Sequence, residues 1–341
     1  MTPRVGSDAR HPLGPLLTIM WHYVRDAAAT PAVGVPWLDV AAFDDQLDRI
    51  AESRTVVGWA EVRDALLGGA PLPADATLLT FDDGLIDHHA TVAPRLAARG
   101  WPGICFVTAR HPGERLSVGH AIHVLLGVLS PAALRDVVVD RLAAVDRAEF
   151  LAAEDHERMA GVDAIDVLKR PLQRDVAAAA EPILGRLVEE LIGPESDVAD
   201  ALHLAPREVA DLREAGLTIG GHGRRHVWFD HEPVGRVRDE VAASAAFLAD
   251  DPQPWPFAYP YGASSPGAPG LLEAAGFAAA FHAAPRAATG TMDLGRIDGE
   301  TAAQEAPLRV GPAAALDVEL GRGRTDAVEV RPRARRGDGP R

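Results

Sequence analysis

The stretch Ala76-Thr77-Leu78-Leu79-Thr80-Phe81-Asp82-Asp83-Gly84 decides the fold. Its first six residues form an apolar run, the pattern of a strand covered on both faces. Two adjacent carboxylates and a glycine turn follow at once. An Asp-Gly pair alone is an ordinary turn signal. Two acids directly after a fully apolar strand stand where the sites of parallel α/β folds lie, at the C-terminal ends of strands.

A second run, Leu217-Thr218-Ile219-Gly220-Gly221, delivers two histidines, His222 and His226, in the same manner. One histidine alone is more often structural. Two at i and i+4 can aim at one ion from a helical turn or a tight loop, with Arg224 and Arg225 pointing elsewhere. Two imidazoles with one carboxylate are a common ligand set for a catalytic zinc that keeps a position open for water. The other carboxylate is then left over as a base, a combination suited to metal-assisted hydrolysis. A third stretch, Phe257-Ala258-Tyr259-Pro260-Tyr261-Gly262, reads by itself as a strand ending in a Pro-Gly turn.

Outward from these stretches, short apolar strands alternate with helical spacing, which implies a parallel sheet or an α/β barrel. Leu16–Trp21, Ala76–Phe81, Gly103–Thr108, Leu217–Gly220, Trp255–Tyr259 and Phe277–Phe281 read as strands. Val40–Ser53, Trp59–Leu67, Ala90–Arg99, Pro206–Ala215, Arg236–Leu248 and Leu271–Ala275 read as helices. The rhythm breaks between 111 and 204. There the spacing predicts helices over Ile122–Leu129, Ala132–Val145, Ile165–Gln173 and Val176–Ile192, a helical insertion in the α/β domain. The resulting organisation is an N-terminal extension at 1–15, an α/β domain at 16–300 interrupted by the insertion at 111–204, and a C-terminal segment at 301–341. Its Pro- and Gly-rich basic tail, with Arg331, Arg333, Arg335, Arg336 and Arg341, reads as disordered.

The 341 residues suffice for one large domain with an insertion, and 47% hydrophobic with 24% charged residues is the composition of a globular protein. A net charge of −15 argues against nucleic acid as a partner, because phosphate contacts need clustered Lys and Arg. The single cysteine, Cys105, lies in a strand and reads as a small buried hydrophobe. One cysteine allows no disulfide framework within the chain. Met1–Gly14 does not read as a signal peptide, and no uncharged apolar stretch of about 18 residues suggests a membrane span. The expected location is the cytoplasm.

In their order, the three stretches resemble the polysaccharide deacetylase family (NodB homology domain, carbohydrate esterase family 4). Thr80 to Gly84 matches the first motif of that family, and His222 to His226 matches the second in spacing and histidines. Gly223 departs from the usual Ser or Thr there. Phe257 to Gly262 matches the third motif in its Phe-Ala-Tyr-Pro-Tyr-Gly subgroup form. The resemblance covers about 16–110 and 206–298 and leaves the insertion outside. It implies a distorted (β/α) barrel of about seven strands. It also implies that Asp83, His222 and His226 hold a divalent metal, zinc in first place with cobalt or nickel as alternatives. Asp82 would be the general base, and the Tyr261 backbone N–H would steady the oxyanion.

Two departures bear on the chemistry. The family's third motif usually carries an arginine that pairs with the base, where this chain has Ala258. Arg296, in Leu294-Gly295-Arg296-Ile297-Asp298, is the expected replacement, the alternative being a surface arginine. The late Leu-His motif that supplies the general acid is not found. Met20-Trp21-His22-Tyr23-Val24 resembles the opening of the biofilm poly-N-acetylglucosamine deacetylases, which makes His22 the expected acid and His282 its rival. The expected function is removal of an N-acyl group, chiefly acetyl, from an amino-sugar glycan, a sugar conjugate or a small metabolite. It is a hydrolase acting on C–N bonds other than peptide bonds. Hydrolysis of a cyclic amide or ureide, and a degenerate metal- or carbohydrate-binding module, are the alternatives. The insertion is expected to act as a lid over the site.

Overall fold

The computed structural model describes residues 13–299, apart from 15, 30 and 287. Most of the N-terminal extension and all of the C-terminal segment, including the basic tail, lie outside the described residues. No helix among the described residues is long and apolar enough to cross a membrane.

The strands are β1 (Leu17–Trp21), β2 (Val24–Arg25), β3 (Leu38–Asp39), β4 (Thr55–Val57), β5 (Ala76–Phe81), β6 (Ile104–Val107), β7 (Thr218–Gly221), β8 (Trp255–Ala258), β9 (Phe277–Phe281) and β10 (Ile297–Asp298). All pairs in the main sheet are parallel, in the order β10-β1-β5-β6-β7-β8-β9. β4 pairs with the first half of β5, and β6 takes over along its second half. β2 and β3 form a small separate ladder.

The sheet curls into a distorted barrel because the last segment touches both of its ends. Leu294 bridges Phe281 of β9, and three residues later Ile297 pairs with Ile19 of β1. Arg296 sits between these two contacts.

Alternation along each strand separates two cores. Leu78 of β5 and Ile104 and Phe106 of β6 turn inward and pack with Ala258, Phe281 and Leu294. Leu79, Phe81, Cys105 and Val107 turn outward and pack beneath the helices. All six residues of β5 are therefore buried. The outer helices are α1 (Val40–Ser53), α2 (Trp59–Leu66) and α3 (Ala93–Arg99), followed after the insertion by α10, α11 and α12, whose bounds are given below. α3 closes on Gly100 in the left-handed conformation, as its position after Arg99 predicts. Helical crossovers between parallel strands bring every strand's C-terminal end to one rim.

The insertion is helical. It contains α4 (Val118–Leu126), α5 (Pro131–Arg141), α6 (Ala144–Met159), α7 (Ala164–Arg170), α8 (Ala177–Leu191) and α9 (Glu195–Leu202). These helices share an apolar core of their own, with Leu125, Leu134, Phe150, Leu172 and Leu184 at its centre. α10 (Pro206–Glu214), α11 (Val234–Phe247) and α12 (Ala268–Ala275) resume the barrel pattern.

Two insertion helices, α6 and α9, are not legible as such in the sequence, and α5 stops at Arg141 rather than Val145. α6 hides because two of its buried positions carry charges. Glu154 and Glu157 are buried, and Arg135 and Arg158 pair with Glu154 while Arg170 and Arg174 pair with Glu157. Paired carboxylates thus occupy part of the stripe that apolar residues would otherwise mark.

Candidate active site

Asp82 and Asp83 follow β5, His222 follows β7, Tyr261 follows β8, and His22 follows β1, so all stand on the same rim. Among the described residues only three non-glycine residues have positive φ: Asp83 (76°), His226 (52°) and Tyr261 (57°). Such a backbone costs of order 1–2 kcal/mol per residue, and clustering of strain in this way is typical of functional sites.

The side chains of Asp83, His222 and His226 converge, with one ligand atom from each lying within 4.8 Å of the other two. Asp83 Oδ1 lies 3.2 Å from His222 Nε2 and 3.1 Å from His226 Nε2, and the two nitrogens are 3.2 Å apart. This triangle matches the edges of a tetrahedron of ligands about 2.0–2.1 Å from zinc, which are roughly 3.3 Å long.

The protonation of the group points the same way. His222 Nδ1 donates to the Ala258 carbonyl at 2.8 Å, so its Nε2 presents a lone pair. Burial pushes His226 down to about 4, so it is uncharged at neutral pH. Asp83 Oδ1 is buried and receives no hydrogen bond. Three lone-pair donors facing one another in a largely buried site fit a divalent cation.

Asp82 has a different partner. Its carboxylate receives two parallel hydrogen bonds from Arg296, Nη1 to Oδ1 at 2.7 Å and Nη2 to Oδ2 at 2.6 Å. Arg296 is fully buried and also donates to the His282 carbonyl (2.9 Å) and Thr80 Oγ1 (3.2 Å). Burial opposes the charge on Asp82, but the Arg296 guanidinium, with smaller help from His222 and His22, outweighs it and holds the carboxyl below its ordinary range. The guanidinium thus comes from the segment that closes the barrel, while Ala258, where the family pattern carries arginine, packs inside the barrel.

His22 lies close enough for its charge to bear on Asp82. Its backbone carbonyl accepts from His88 Nε2 at 3.0 Å, and His88 Nδ1 lies 3.3 Å from Cys105 Sγ. Burial raises the Cys105 thiol far above its usual range, so it remains an S–H donor to that imidazole. His282 has both ring nitrogens occupied, Nδ1 by the Gly262 carbonyl (2.8 Å) and Nε2 by Asp293 (3.0 Å). Tyr261 lies edge-on to His226 and stacks on Trp228, with centroids 4.3 and 4.6 Å apart. Burial raises its phenol, which stays protonated.

Gly223 has a structural reason. Its φ is +70°, and a Cβ there would lie 2.9 Å from Glu240 Oε2. That carboxylate accepts from the backbone N–H groups of Arg224 (2.6 Å) and Arg225 (2.8 Å), shaping the loop that carries both histidines. The two arginines do point away from the triangle, Arg224 pairing with Glu114 and Arg225 with Glu181 of the insertion.

Sequence reasoning missed Glu240 and two histidines of the insertion, His120 and His203. His120 Nε2 reaches Asp83 Oδ2 at 3.2 Å, and His203 packs edge-on against His120 with centroids 4.6 Å apart. No spacing relates these residues to the acidic motif, so only the fold brings them together.

The fold is a distorted (β/α) barrel of the NodB type. The structure is similar to the Streptococcus pyogenes deacetylase PplD solved with acetate, with a TM-score of 0.51 and 14% identity over 83% of this chain and 91% of that one. A de-N-acetylase from Aggregatibacter actinomycetemcomitans is similar too, with a TM-score of 0.51 and 16% identity over 84% and 95% of the two chains. No known family model matches the chain. The poly-beta-1,6-N-acetyl-D-glucosamine N-deacetylase of Escherichia coli (strain K12) is 36% identical over 89 residues, 26% of this chain. The chain spans only 13% of that relative's length. The two solved structures share the fold of this chain.

Proposed function

We propose that the protein is a metal-dependent N-deacetylase that removes acetyl from an amino-sugar-containing glycan, sugar conjugate or small metabolite. The observation that carries this reading is the lone-pair triangle of Asp83, His222 and His226 beside a separate, arginine-held carboxylate. A divalent ion held by these three residues, zinc in first place, would supply Lewis acidity to the amide carbonyl and to water. The names of the similar proteins support acetyl as the group removed.

The chain's own residues divide the remaining work. Asp82, kept ionised by Arg296, takes a proton from the attacking water. The Tyr261 backbone N–H faces the oxygen on which negative charge develops. His22 gives a proton to the departing nitrogen as the C–N bond breaks, yielding acetate and a free amine. His282, engaged at both nitrogens, is the weaker candidate for that role.

The test is amine release from N-acetylated sugars, sugar nucleotides and small amides. It uses metal-stripped protein reloaded with zinc or cobalt, beside Asp82→Asn. Metal-dependent release that Asp82→Asn abolishes while still binding zinc is the expected result. Release that is indifferent to the metal, or equal in Asp82→Asn, refutes the reading.

A further inference from the structure

The two oxygens of Asp83 stand in different surroundings. Oδ1 faces the Nε2 atoms of His222 and His226. Oδ2 faces His120 Nε2 at 3.2 Å. His120 is in the first turn of α4, inside the insertion, and is 1% exposed.

The orientation of His120 follows from its neighbour. Ser117 caps α4, its Oγ accepting from the backbone N–H of His120 at 3.2 Å. The same hydroxyl lies 2.8 Å from His120 Nδ1. The Asp83 carboxylate only accepts, so the contact at 3.2 Å is a hydrogen bond from His120 Nε2–H, and the Ser117 hydroxyl, whose oxygen also accepts from the backbone, donates its one hydrogen to Nδ1. The proton of the neutral imidazole is then on Nε2, directed at Asp83 Oδ2.

The ring is walled in. His203, whose Nδ1 donates to the Ala199 carbonyl at 2.9 Å, packs against it edge-on. Next to it, a Cβ at position 119 would lie 2.7 Å from the Tyr261 hydroxyl, so Gly119 lets α4 approach the site.

We propose that His120 is a positioning residue that determines which oxygen of Asp83 faces the metal, so that the insertion is part of the metal centre rather than a cover over it. This rests on the reading that Asp83, His222 and His226 hold a divalent ion. An aspartate whose second oxygen lacks a donor is free to rotate its carboxyl and offer either oxygen. A buried N–H on Oδ2 removes that freedom and satisfies an acceptor that would otherwise be left without a partner. His120 is not itself a ligand, since the converging set is complete without it and its nitrogen contacts the oxygen turned away from the triangle. The geometry accounts for an insertion of six helices that reaches the rim at this point.

The test is zinc affinity of the full chain, measured by chelator competition, for wild type, His120→Leu and His120→Gln. Leu fills the buried volume without a donor, and Gln keeps an N–H near Nε2. The melting temperature of each metal-free protein is measured in parallel. His120→Leu should weaken zinc binding about 10- to 100-fold, the range for loss of a group that orients a ligand. His120→Gln should stay close to wild type in affinity and in metal-free melting temperature, whereas metal-free His120→Leu should melt somewhat lower, because Oδ2 loses its donor, yet stay folded at the assay temperature. The proposal is overturned if His120→Leu binds zinc like wild type, or if Gln loses as much affinity as Leu. It is also overturned if His120→Leu recovers wild-type affinity at temperatures well below its metal-free melting transition, since the loss is then one of folding alone. A wild-type chain that takes up no zinc overturns the metal-centre reading itself, a result distinct from all of these.

Discussion

Replacing Arg296 by Met should destabilise the protein strongly and in a pH-dependent way. Met conserves much of the volume but removes every donor. The Arg296 and Asp82 side chains are 0% and 3% exposed. The Asp82 carboxylate would lose both of its hydrogen bonds from the guanidinium, and the His282 carbonyl and Thr80 Oγ1 would each lose one. Breaking a buried ion pair from one side costs about 3–5 kcal/mol, a large share of a typical folding free energy of about 5–15 kcal/mol.

In the wild type the folded pKa of Asp82 lies below 3.8, so its stabilising contribution is complete above that value and is lost as pH falls through the folded pKa. Burial is already the largest influence on Asp82, and in Arg296→Met only His222 and His22 are left to oppose it, so the folded pKa is expected to rise above 3.8. The variant's penalty therefore grows as pH rises above the unfolded pKa and shrinks toward about pH 4 and below.

The assay is urea denaturation of metal-free wild type, Arg296→Met, Asp82→Asn and the double variant, at neutral pH and near pH 4. At neutral pH the double variant should be more stable than Arg296→Met, because the orphaned charge is gone. A loss below about 1 kcal/mol at neutral pH, the range of an exposed pair, would refute the argument. So would a double variant no more stable than the single.

Other outcomes follow from the same geometry. His22→Ala should lower kcat about 10²- to 10⁴-fold, with zinc affinity unchanged. A His22→Ala protein with wild-type fold, metal content and turnover removes His22 from the mechanism. Gly223→Ser, which installs the residue type usual in the family, should destabilise the chain by roughly 1–2 kcal/mol in urea titration. Equal stability would mean that the left-handed turn against Glu240 is not under constraint. Glu154→Gln should flatten the acid limb of a stability–pH profile. Burial disfavours the Glu154 charge, but Arg135 and Arg158 lower its pKa below 4.5 overall, so it stabilises above 4.5 and the benefit disappears as pH falls through the folded value. An unchanged acid limb in Glu154→Gln assigns that loss to other groups.

Asp82, Asp83, His222 and His22 were legible because each follows a strand by one or two positions. An apolar run that ends in Asp82-Asp83, and another that ends at His222, announce both the strand and what it delivers. Arg296 was legible only as a replacement suggested by the Arg-Ile pair near the end of the barrel. Its bond to Asp82 depends on closure, with Leu294 on β9 and Ile297 on β1 holding the residue between them over the barrel interior. The insertion was legible as helical but not in its register. α6 was masked by Glu154 and Glu157, whose burial depends on arginines from other turns and helices.

By itself, then, the sequence determined the parallel strands, the rim to which they lead and the carboxylates and imidazoles placed there. Alternation and turn chemistry act over a few residues, and so can be read along the chain. The tertiary structure alone decided which partner each of these groups has: Arg296 for Asp82, Glu240 for the histidine loop, and His120 for Asp83. Those partners come from helices and a closing segment far away in sequence. Their contacts exist only once separate apolar faces have packed and excluded the water that would otherwise take their hydrogen bonds.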